Sequence, residues 1–330
     1  MNSGRRFALI AGPTPLHPLP RLGADLGVEL WIKRDDLTGL AFGGNKTRKL
    51  EFLVGDALAR GADTLITSGA AQSNHCRQTA AAAARAGMEC HLALGGEDPG
   101  TRTGNLLVDD LLGAHLHWCG SARKGETVAS IVDELQARGR STVVVPYGGS
   151  NPIGARGYVR AAAELGEQCR TMGVQFDAIV FASSSGGTQA GLCAGLARAD
   201  LNARVIGVKI DPEPGPNGEL RDEIGALITA LDATDGTTTG TTGEVLDEFA
   251  EPGYGVVTAR ERDAVHRLAR TEGVLLDPVY TARAFGGLLT MIGDDHRERG
   301  ARILFWHTGG TPALFPYAEQ LRSPASSSSS

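Results

Sequence analysis

The sequence predicts an α/β protein with largely parallel sheets. Short runs rich in β-branched and apolar residues alternate with longer alanine-rich amphipathic stretches, and polar, glycine-rich loops follow four of the short runs. Alternation of this kind is typical of parallel strands joined by crossover helices. The length of 330 residues predicts one large domain or two coupled domains.

The predicted elements follow from apolar periodicity in chain order. The segments predicted as strands are 29–32, 64–67, 90–94, 142–145, 178–181, 204–210 and 302–306. The segments predicted as helices are 50–58, 78–86, 127–138, 155–170 and 189–199. Residues 232–243, dense in threonine and glycine, are predicted to form a mobile surface loop, and the serine-rich residues 323–330 a disordered tail.

Composition excludes several classes of protein. A formal net charge of -6 with no basic cluster gives no basis for binding nucleic acid. No apolar run approaches the ~18 residues of a membrane span, and the first six residues lack the apolar core of a signal peptide. We therefore expect a cytoplasmic protein with no nucleic-acid or membrane partner.

The five cysteines are widely spaced and odd in number. This spacing predicts neither a disulfide framework nor a zinc motif, so reduced thiols and no metal site are expected. Cys76 lies beside a polar loop and is either a thiol at a site or a small buried filler.

Lysine usage singles out Lys46. Only five of the 32 basic residues are lysines, and Lys46 lies in the run GGNKTRK, which precedes a predicted helix. Arginine can supply a positive charge wherever only charge is needed, but only an amine that loses its proton can condense with a carbonyl. Lys46 is therefore a candidate for covalent catalysis, the alternative being a solvated lysine at a helix start.

Residues 183–188 form a candidate phosphate site. The run SSSGGT follows an apolar strand and opens a predicted helix. Such a turn presents free backbone N–H groups and the positive end of a helix dipole, and its hydroxyls add further donors. It matches neither the Walker loop nor the dinucleotide fingerprint, so a nucleotide is not indicated. The alternative is an ordinary serine-rich helix cap.

Pyridoxal phosphate requires a phosphate site together with a reactive lysine such as Lys46, since its aldehyde bonds to a lysine and its phosphate needs a binding loop. Six segments, in order between residues 43 and 315, resemble the D-cysteine desulfhydrase and 1-aminocyclopropane-1-carboxylate deaminase family of pyridoxal-phosphate enzymes. The segments are GGNKTRKLEFL, QSNHCRQTAA, SSSGGTQAGL, EPGYG, LLDPVYTARAFGGL and HTGGTPALF.

The resemblance implies the fold of the tryptophan synthase β-subunit. This fold has two three-layer α/β domains with mostly parallel twisted sheets and holds the cofactor in the cleft between them. The large domain is expected to comprise residues 1–46 and 157–322, and the small domain residues 47–156. The resemblance also implies a homodimer.

The resemblance assigns cofactor contacts residue by residue. Lys46 matches the family's Schiff-base lysine, and Asn74 matches the partner of the ring hydroxyl. The expected phosphate loop consists of Ser185, Gly186, Gly187 and Thr188. The hydroxyl of Thr308 is the expected partner of the pyridine nitrogen, with Thr281 nearby.

The substrate contacts follow from the same resemblance. Ser73, Asn74 and His75 begin a helix and are expected to bind the substrate carboxylate, while Tyr254 and Tyr280 match two tyrosines that line the substrate side of the ring. Lys46 is the expected base for the α-proton, with Ser73 or a tyrosine as helper. For His75 a helix-capping role, and for Tyr254 simple packing, are the alternatives.

Differences from the deaminases favour the desulfhydrase branch of the family. The deaminases resemble SNQ where this chain has Ser73 to His75, and they carry glutamate and leucine where it has Thr281 and Thr308. A neutral hydroxyl does not keep the pyridine nitrogen protonated, so the ring is a weaker electron sink, suited to elimination of a good leaving group.

The expected activity is therefore β-elimination from a small amino acid, with D-cysteine giving pyruvate, hydrogen sulfide and ammonia. The enzymatic alternatives are an L-cysteate sulfo-lyase, in which Arg77 or Arg156 would serve the sulfonate, and a 1-aminocyclopropane-1-carboxylate deaminase. The non-enzymatic alternative is a protein that binds pyridoxal phosphate without turnover.

Overall fold

The computed structural model describes residues 5–235, 241–294 and 300–322. Within these residues the strands are β1 (Leu16–Pro18), β2 (Glu29–Arg34), β3 (Thr64–Ala70), β4 (Glu89–Gly95), β5 (His115–Trp118), β6 (Thr142–Val144), β7 (Ala178–Ser183), β8 (Arg204–Lys209), β9 (Glu244–Leu246) and β10 (Arg302–His307). The helices are α1 (Pro20–Leu26), α2 (Lys46–Ala59), α3 (Asn74–Ala86), α4 (Asn105–Leu111), α5 (Val128–Ala137), α6 (Pro152–Met172), α7 (Gly187–Arg198), α8 (Leu220–Asp235), α9 (Ala259–Glu272), α10 (Thr281–Asp294) and α11 (Ala318–Leu321).

The strands form two sheets. The first has six strands in the order β1-β2-β10-β7-β8-β9, and the second has four in the order β5-β4-β3-β6. Neighbouring strands are parallel throughout both sheets except for the pair β1 and β2. The predicted α/β class with largely parallel sheets is confirmed.

Each sheet is covered on both faces. In β7, Val180 packs into one apolar cluster with residues of α9 and α10, whereas Ile179 and Phe181 pack into another with residues of α6 and α7. Because side chains alternate along a strand, these two clusters lie on opposite faces of the first sheet. In the second sheet Leu65 faces α2 and α3 while Ile66 faces α5. Both sheets are therefore the middle layer of a three-layer sandwich.

All seven predicted strands are present, with ends that differ by one to three residues. The strands β1, β5 and β9 were not predicted, because three or four residues are too few to show a period, whereas the equally short β6 was predicted from its run of β-branched residues. The predicted loop over 232–243 is wrong at its start, where α8 continues to Asp235. Residues 236–240 of that loop and the predicted tail lie outside the described residues.

All four strands of the second sheet lie between residues 64 and 144. The division at residues 47 and 156 into a small and a large domain stays a prediction. The loops that follow β3, β6, β7 and β10 leave the carboxyl ends of their strands, where ligands bind in open α/β sheets.

Candidate active site

The loops that end β3, β7 and β10 meet the start of α2 around a cleft, where about 650 Å³, including open solvent at the mouth, is not filled by protein atoms. Ten of the residues predicted for the site line this cleft: Lys46, Ser73, Asn74, His75, Ser185, Gly186, Thr188, Tyr254, Tyr280 and Thr308. Two others, Gly187 and Thr281, do not line it. Asn45, Lys49 and Tyr147 line it as well, and sequence reasoning did not assign them.

Lys46 is the first residue of α2 and is half-buried. Its Nζ donates a hydrogen bond to Oδ1 of Asn45 at 3.0 Å. Burial lowers the pKa of the Lys46 amine to about 8, although the Asp277 carboxylate opposes this shift. A buried amine loses hydration of its charged form, so the neutral, nucleophilic form is populated near neutral pH.

Two glycines allow the turn that presents Lys46. A Cβ added to Gly43, whose φ is +64°, would lie 2.1 Å from the carbonyl oxygen of Asp36. Gly309 after β10 also lies close to the backbone of Gly44, because a Cβ added to Gly309 would lie 2.6 Å from the Gly44 Cα. Only glycine permits these approaches. They hold the loop of Thr308 against the start of α2, where Asn45 N also donates to Thr308 O at 2.9 Å.

The predicted phosphate loop leads from β7 into α7. Gly186 adopts a left-handed conformation with φ +72°, and Gly187 begins the helix. A Cβ on Gly187 would lie 2.5 Å from Oγ of Ser150 and 3.0 Å from Nζ of Lys49. The loop is therefore a small cradle at a helix N-terminus, lined by backbone N–H groups and hydroxyls, which is the donor set that a phosphate monoester requires.

Lys49 places its amine beside this cradle. Its side chain is almost fully buried, and Nζ donates to Gly148 O at 3.0 Å and to Ser150 Oγ at 3.1 Å. Burial and the neighbouring Lys46 amine lower the pKa of Lys49 well below its ordinary value. A buried lysine with no carboxylate partner in its hydrogen bonds fits a site completed by an anionic ligand. Its position three residues after Lys46 was the sequence signal for it, since i and i+3 share a helix face.

The start of α3 forms the opposite wall. Ser73 is the N-cap of the helix, and its Oγ accepts a hydrogen bond from Cys76 N at 3.2 Å. Asn74 is held from behind, because Nδ2 of Asn105 donates to its Oδ1 at 2.9 Å. The free N–H groups of the first helical turn face the cleft with the positive end of the helix dipole, an arrangement that binds a carboxylate.

The ring of His75 is neutral and fixed in one tautomer. Thr67 Oγ1 donates to Val145 O at 2.8 Å, so the 2.8 Å contact between Thr67 Oγ1 and His75 Nε2 requires the proton on Nε2. Burial lowers the pKa of His75 well below its ordinary value, and Nδ1 is a buried acceptor without a hydrogen-bond partner among the described residues. The ring of His75 therefore has no N–H left to donate to a ligand.

Tyr254 and Tyr280 form a pair above the cleft. Their hydroxyl oxygens lie 2.8 Å apart, and their rings meet edge to face with centroids separated by 5.8 Å. The guanidinium of Arg123 lies 4.8 Å from the centroid of the Tyr254 ring. Burial raises the pKa of both hydroxyls well above the ordinary value, so both tyrosines are protonated hydrogen-bond donors.

Thr281 is directed away from the cleft. It is fully buried, and its hydroxyl donates to Oδ1 of Asp277 at 2.7 Å, while the same carboxylate accepts the N–H groups that begin α10. Thr308 lies at the cleft wall. The structure thus brings Thr308, but not Thr281, to a position where its hydroxyl can contact a ligand.

The residues fit pyridoxal phosphate. The aldehyde needs a neutral lysine amine, and the phosphate needs the cradle; Asn45 links the two sites, since it precedes Lys46 and its Nδ2 donates to Thr188 Oγ1 at 3.1 Å. The amide of Asn74 and the hydroxyl of Thr308 remain for the ring oxygen and ring nitrogen.

Comparison with known proteins agrees with this fit. The model of the pyridoxal-phosphate dependent enzyme family matches residues 8–309. The chain belongs to this family. Its cofactor is accordingly pyridoxal phosphate, as the sequence predicted, and the chain is an enzyme of this family.

Individual relatives agree in length as well. A D-cysteine desulfhydrase of Salmonella newport strain SL254 is 44% identical over 320 residues, which cover 94% of this chain and 96% of the relative. The crystal structure of an ACC deaminase homologue superposes with a TM-score of 0.89 and 38% identity over 97% of this chain and 96% of the other. A threonine deaminase isoform 2 from Solanum lycopersicum, 18% identical with a TM-score of 0.65 over 94% of this chain and 83% of its own, shares the fold.

Proposed function

We propose that this enzyme is a β-elimination lyase that converts D-cysteine to pyruvate, hydrogen sulfide and ammonia. The proposal rests on one observation: a single cleft contains a lysine with a lowered pKa, a phosphate cradle and a pair of protonated tyrosines. The D-cysteine desulfhydrases that are 44% identical over nearly the full length support the choice of substrate.

The cofactor would be held by Lys46 at its aldehyde, by Ser185 to Thr188 and Lys49 at its phosphate, and by Asn74 and Thr308 at its ring. Bound pyridoxal phosphate supplies an aldehyde that bonds covalently to amines and a conjugated ring that takes up negative charge from the α-carbon. The neutral hydroxyl of Thr308 suits elimination of a good leaving group more than opening of a cyclopropane ring.

The protein groups then divide the work. The N-terminus of α3 and the Ser73 hydroxyl hold the substrate carboxylate, which orients the α-hydrogen towards Lys46. With the cofactor bound, the Lys46 amine would be placed to take up the α-proton. One hydroxyl of the Tyr254 and Tyr280 pair donates to the other, and the remaining proton is donated to the leaving sulfur. Water hydrolyses the released enamine to pyruvate and ammonia.

The cleft gives less support to the sulfo-lyase alternative. A sulfonate requires a cation, and Arg77 is instead fully buried, with its guanidinium bonded to Asn105 and to the carbonyl of Gly43. Neither Arg77 nor Arg156 lines the cleft, and its cationic side chains among the described residues are Lys46 and Lys49. Both of these serve the cofactor.

The cellular location and the oligomeric state of the enzyme belong to the same proposal. All five cysteines are free thiols, which supports a reducing cytoplasm. Among the described residues none of the helices combines the length and apolarity needed to cross a membrane. We also propose a homodimer, which the family resemblance supports.

The test is a panel of substrates. Pyruvate, oxobutyrate and sulfide are measured after incubation with D-cysteine, L-cysteine, β-chloro-D-alanine, L-cysteate and aminocyclopropane carboxylate. Pyruvate and sulfide from D-cysteine at the highest efficiency support the proposal, whereas preference for L-cysteate, release of oxobutyrate, or no turnover by the cofactor-loaded protein overturns it.

Substitution of Lys46 tests the mechanism. Lys46→Ala should abolish turnover and the visible absorbance of bound cofactor, and Lys46→Arg should do the same, because arginine keeps the charge but cannot condense with the aldehyde. Lys209→Ala, outside the cleft, is the matched control. An active Lys46→Ala variant that retains the absorbance would contradict the assignment.

A further inference from the structure

A histidine cluster lies on the second sheet, independent of the active site. Three of the chain's eight histidines, His91 in β4 and His115 and His117 in β5, project from one face together with Glu89. The strand register pairs His91 with His115 and Ala93 with His117. Because alternate residues of a strand share a face, this pairing stacks all three imidazoles on the same side.

The side chains meet closely. The rings of His91 and His115 are stacked, with centroids 4.5 Å apart and an interplanar angle of 22°. Nδ1 of His91 lies 2.9 Å from Nε2 of His117. Nε2 of His91 lies 3.8 Å from Oε2 of Glu89, and one ligand atom each from Glu89, His91 and His115 lie within 4.8 Å of one another.

His91 carries an unsatisfied nitrogen. Its exposed fraction is 6%, and its Nε2 is a buried atom with no hydrogen-bond partner among the described residues. Its other nitrogen is engaged with His117, so a proton on Nδ1 leaves the lone pair of Nε2 free. A neutral imidazole with an orphaned, buried lone pair is the form that ligates metals.

We propose that Glu89, His91 and His115 bind a divalent transition-metal ion of the zinc type, with His117 fixing the tautomer of His91. Two imidazoles and one carboxylate with an open fourth position suit zinc and its neighbours, whereas magnesium and calcium prefer oxygen ligands alone. The hydrogen bond from a liganding imidazole to an outer partner is the usual support of such a site.

The distances suit this ligand set. Bonds of roughly 2.0–2.2 Å to a tetrahedral zinc place two ligand atoms roughly 3.3–3.6 Å apart, close to the 3.8 Å between Glu89 and His91. Glu89 and His115 are both exposed, whereas His91 between them is buried. Nη2 of Arg140 lies 2.9 Å from Oε1 of Glu89, which leaves Oε2 for the metal. The positive charge of Arg140 lowers the affinity of the site for a metal ion.

The position of the cluster indicates a structural role. Glu89 and His115 are the first residues of β4 and β5, at the amino edge of the sheet, whereas the active site lies beyond the carboxyl end of β3. β5 is the edge strand and pairs with β4 over four residues. A metal ion bound here ties the edge strand to its neighbour, so its effect appears in stability rather than in chemistry.

The test uses the holoenzyme freed of metal with a chelator and titrated with zinc chloride in a calorimeter. We expect one zinc ion per chain at this site and a higher Tm with zinc. His115→Ala, at an exposed position, should remove this binding and the rise in Tm, and His91→Ala should do the same. His117→Phe should weaken zinc binding by about 10–100-fold.

His17→Ala, in β1 of the other sheet, is the matched control and should bind zinc like the unaltered enzyme. The visible spectrum of the cofactor should not change with zinc in any variant. Absence of zinc binding, or binding of equal strength in the His115→Ala variant, would overturn the proposal. Cobalt(II) in place of zinc reports the coordination geometry.

Discussion

Nδ2 of Asn105 donates a hydrogen bond to Oδ1 of Asn74 at 2.9 Å. Asn105 is itself fixed, because its Oδ1 accepts from Nε of Arg77 at 2.7 Å and it is fully buried. This contact decides which end of the Asn74 amide faces the cleft: the oxygen is occupied, so the NH₂ group is available to donate to the ring oxygen of the cofactor.

Asn105→Asp should reverse this orientation. A carboxylate only accepts hydrogen bonds, so it draws the NH₂ group of Asn74 away from the ring, while Arg77 still pairs with it. We expect the dissociation constant of the cofactor to rise about tenfold, the size of one lost hydrogen bond, and the pH at which the cofactor absorbance changes to shift. Asn202→Asp at an exposed position is the control. An unchanged spectral titration would show that Asn105 does not position Asn74.

The pKa of Lys46 predicts how the apoenzyme takes up its cofactor. Only the neutral amine attacks the aldehyde, and burial lowers its pKa to about 8. The rate of covalent attachment should therefore rise about tenfold per pH unit below pH 8 and level off above it. Stopped-flow absorbance measures this rate.

Asp277→Asn provides the comparison for that profile. The carboxylate of Asp277 raises the pKa of Lys46, so its removal should move the break in the profile to lower pH. If the rate profile of the unaltered enzyme instead breaks near pH 10.5, the pKa of an ordinary lysine, burial does not lower the pKa of Lys46.

Lys49 should control cofactor affinity rather than chemistry. Lys49→Met keeps the length of the side chain but removes the charge beside the phosphate cradle. A hydrogen bond to a charged group contributes roughly 1.5–3 kcal/mol, so the dissociation constant should rise roughly 10–150-fold. Fluorescence titration of the apoenzyme measures it, with Lys209→Met as control. Turnover at saturating cofactor should stay within a few-fold, and a complete loss of turnover there would assign Lys49 to the chemistry.

A buried ion pair anchors α2 behind the site. Asp35 accepts hydrogen bonds from Arg48 at 2.8 Å, from Trp306 Nε1 at 2.8 Å and from Tyr158 at 2.5 Å, and all four side chains are buried. Asp35→Ala leaves the Arg48 charge without this partner, and the free energy of unfolding should fall by about 3–5 kcal/mol. Denaturant unfolding checks this value. Asp98→Ala, at an exposed pair with Arg102, should leave the stability nearly unchanged.

The sequence predicted the loops of the site because each follows an apolar strand with glycine and hydroxyl residues, and strand ends converge in parallel sheets. It did not assign Lys49: the i, i+3 spacing from Lys46 places both lysines on one helix face, but a lysine beside an arginine on a helix also resembles a solvated pair. It placed Thr281 with Tyr280, yet α10 begins between them, so Tyr280 lines the cleft while the Thr281 hydroxyl bonds to Asp277. The histidine cluster depends on which strands are neighbours, and sequence spacing does not reveal this.

The hydroxyl pair of Tyr254 and Tyr280 should protonate the leaving group. Both have a raised pKa and are 2.8 Å apart, so one donates to the other and the second proton remains for the substrate. Tyr280→Phe should lower kcat for D-cysteine by about 10²-fold or more, the range of a lost general acid. Turnover of β-chloro-D-alanine should fall far less, because chloride leaves without a proton. The ratio of the two turnover rates separates protonation of the sulfur from positioning of the substrate. Tyr317→Phe, outside the cleft lining, is the control. Equal losses for both substrates would show that Tyr280 orients the substrate and does not protonate the sulfur.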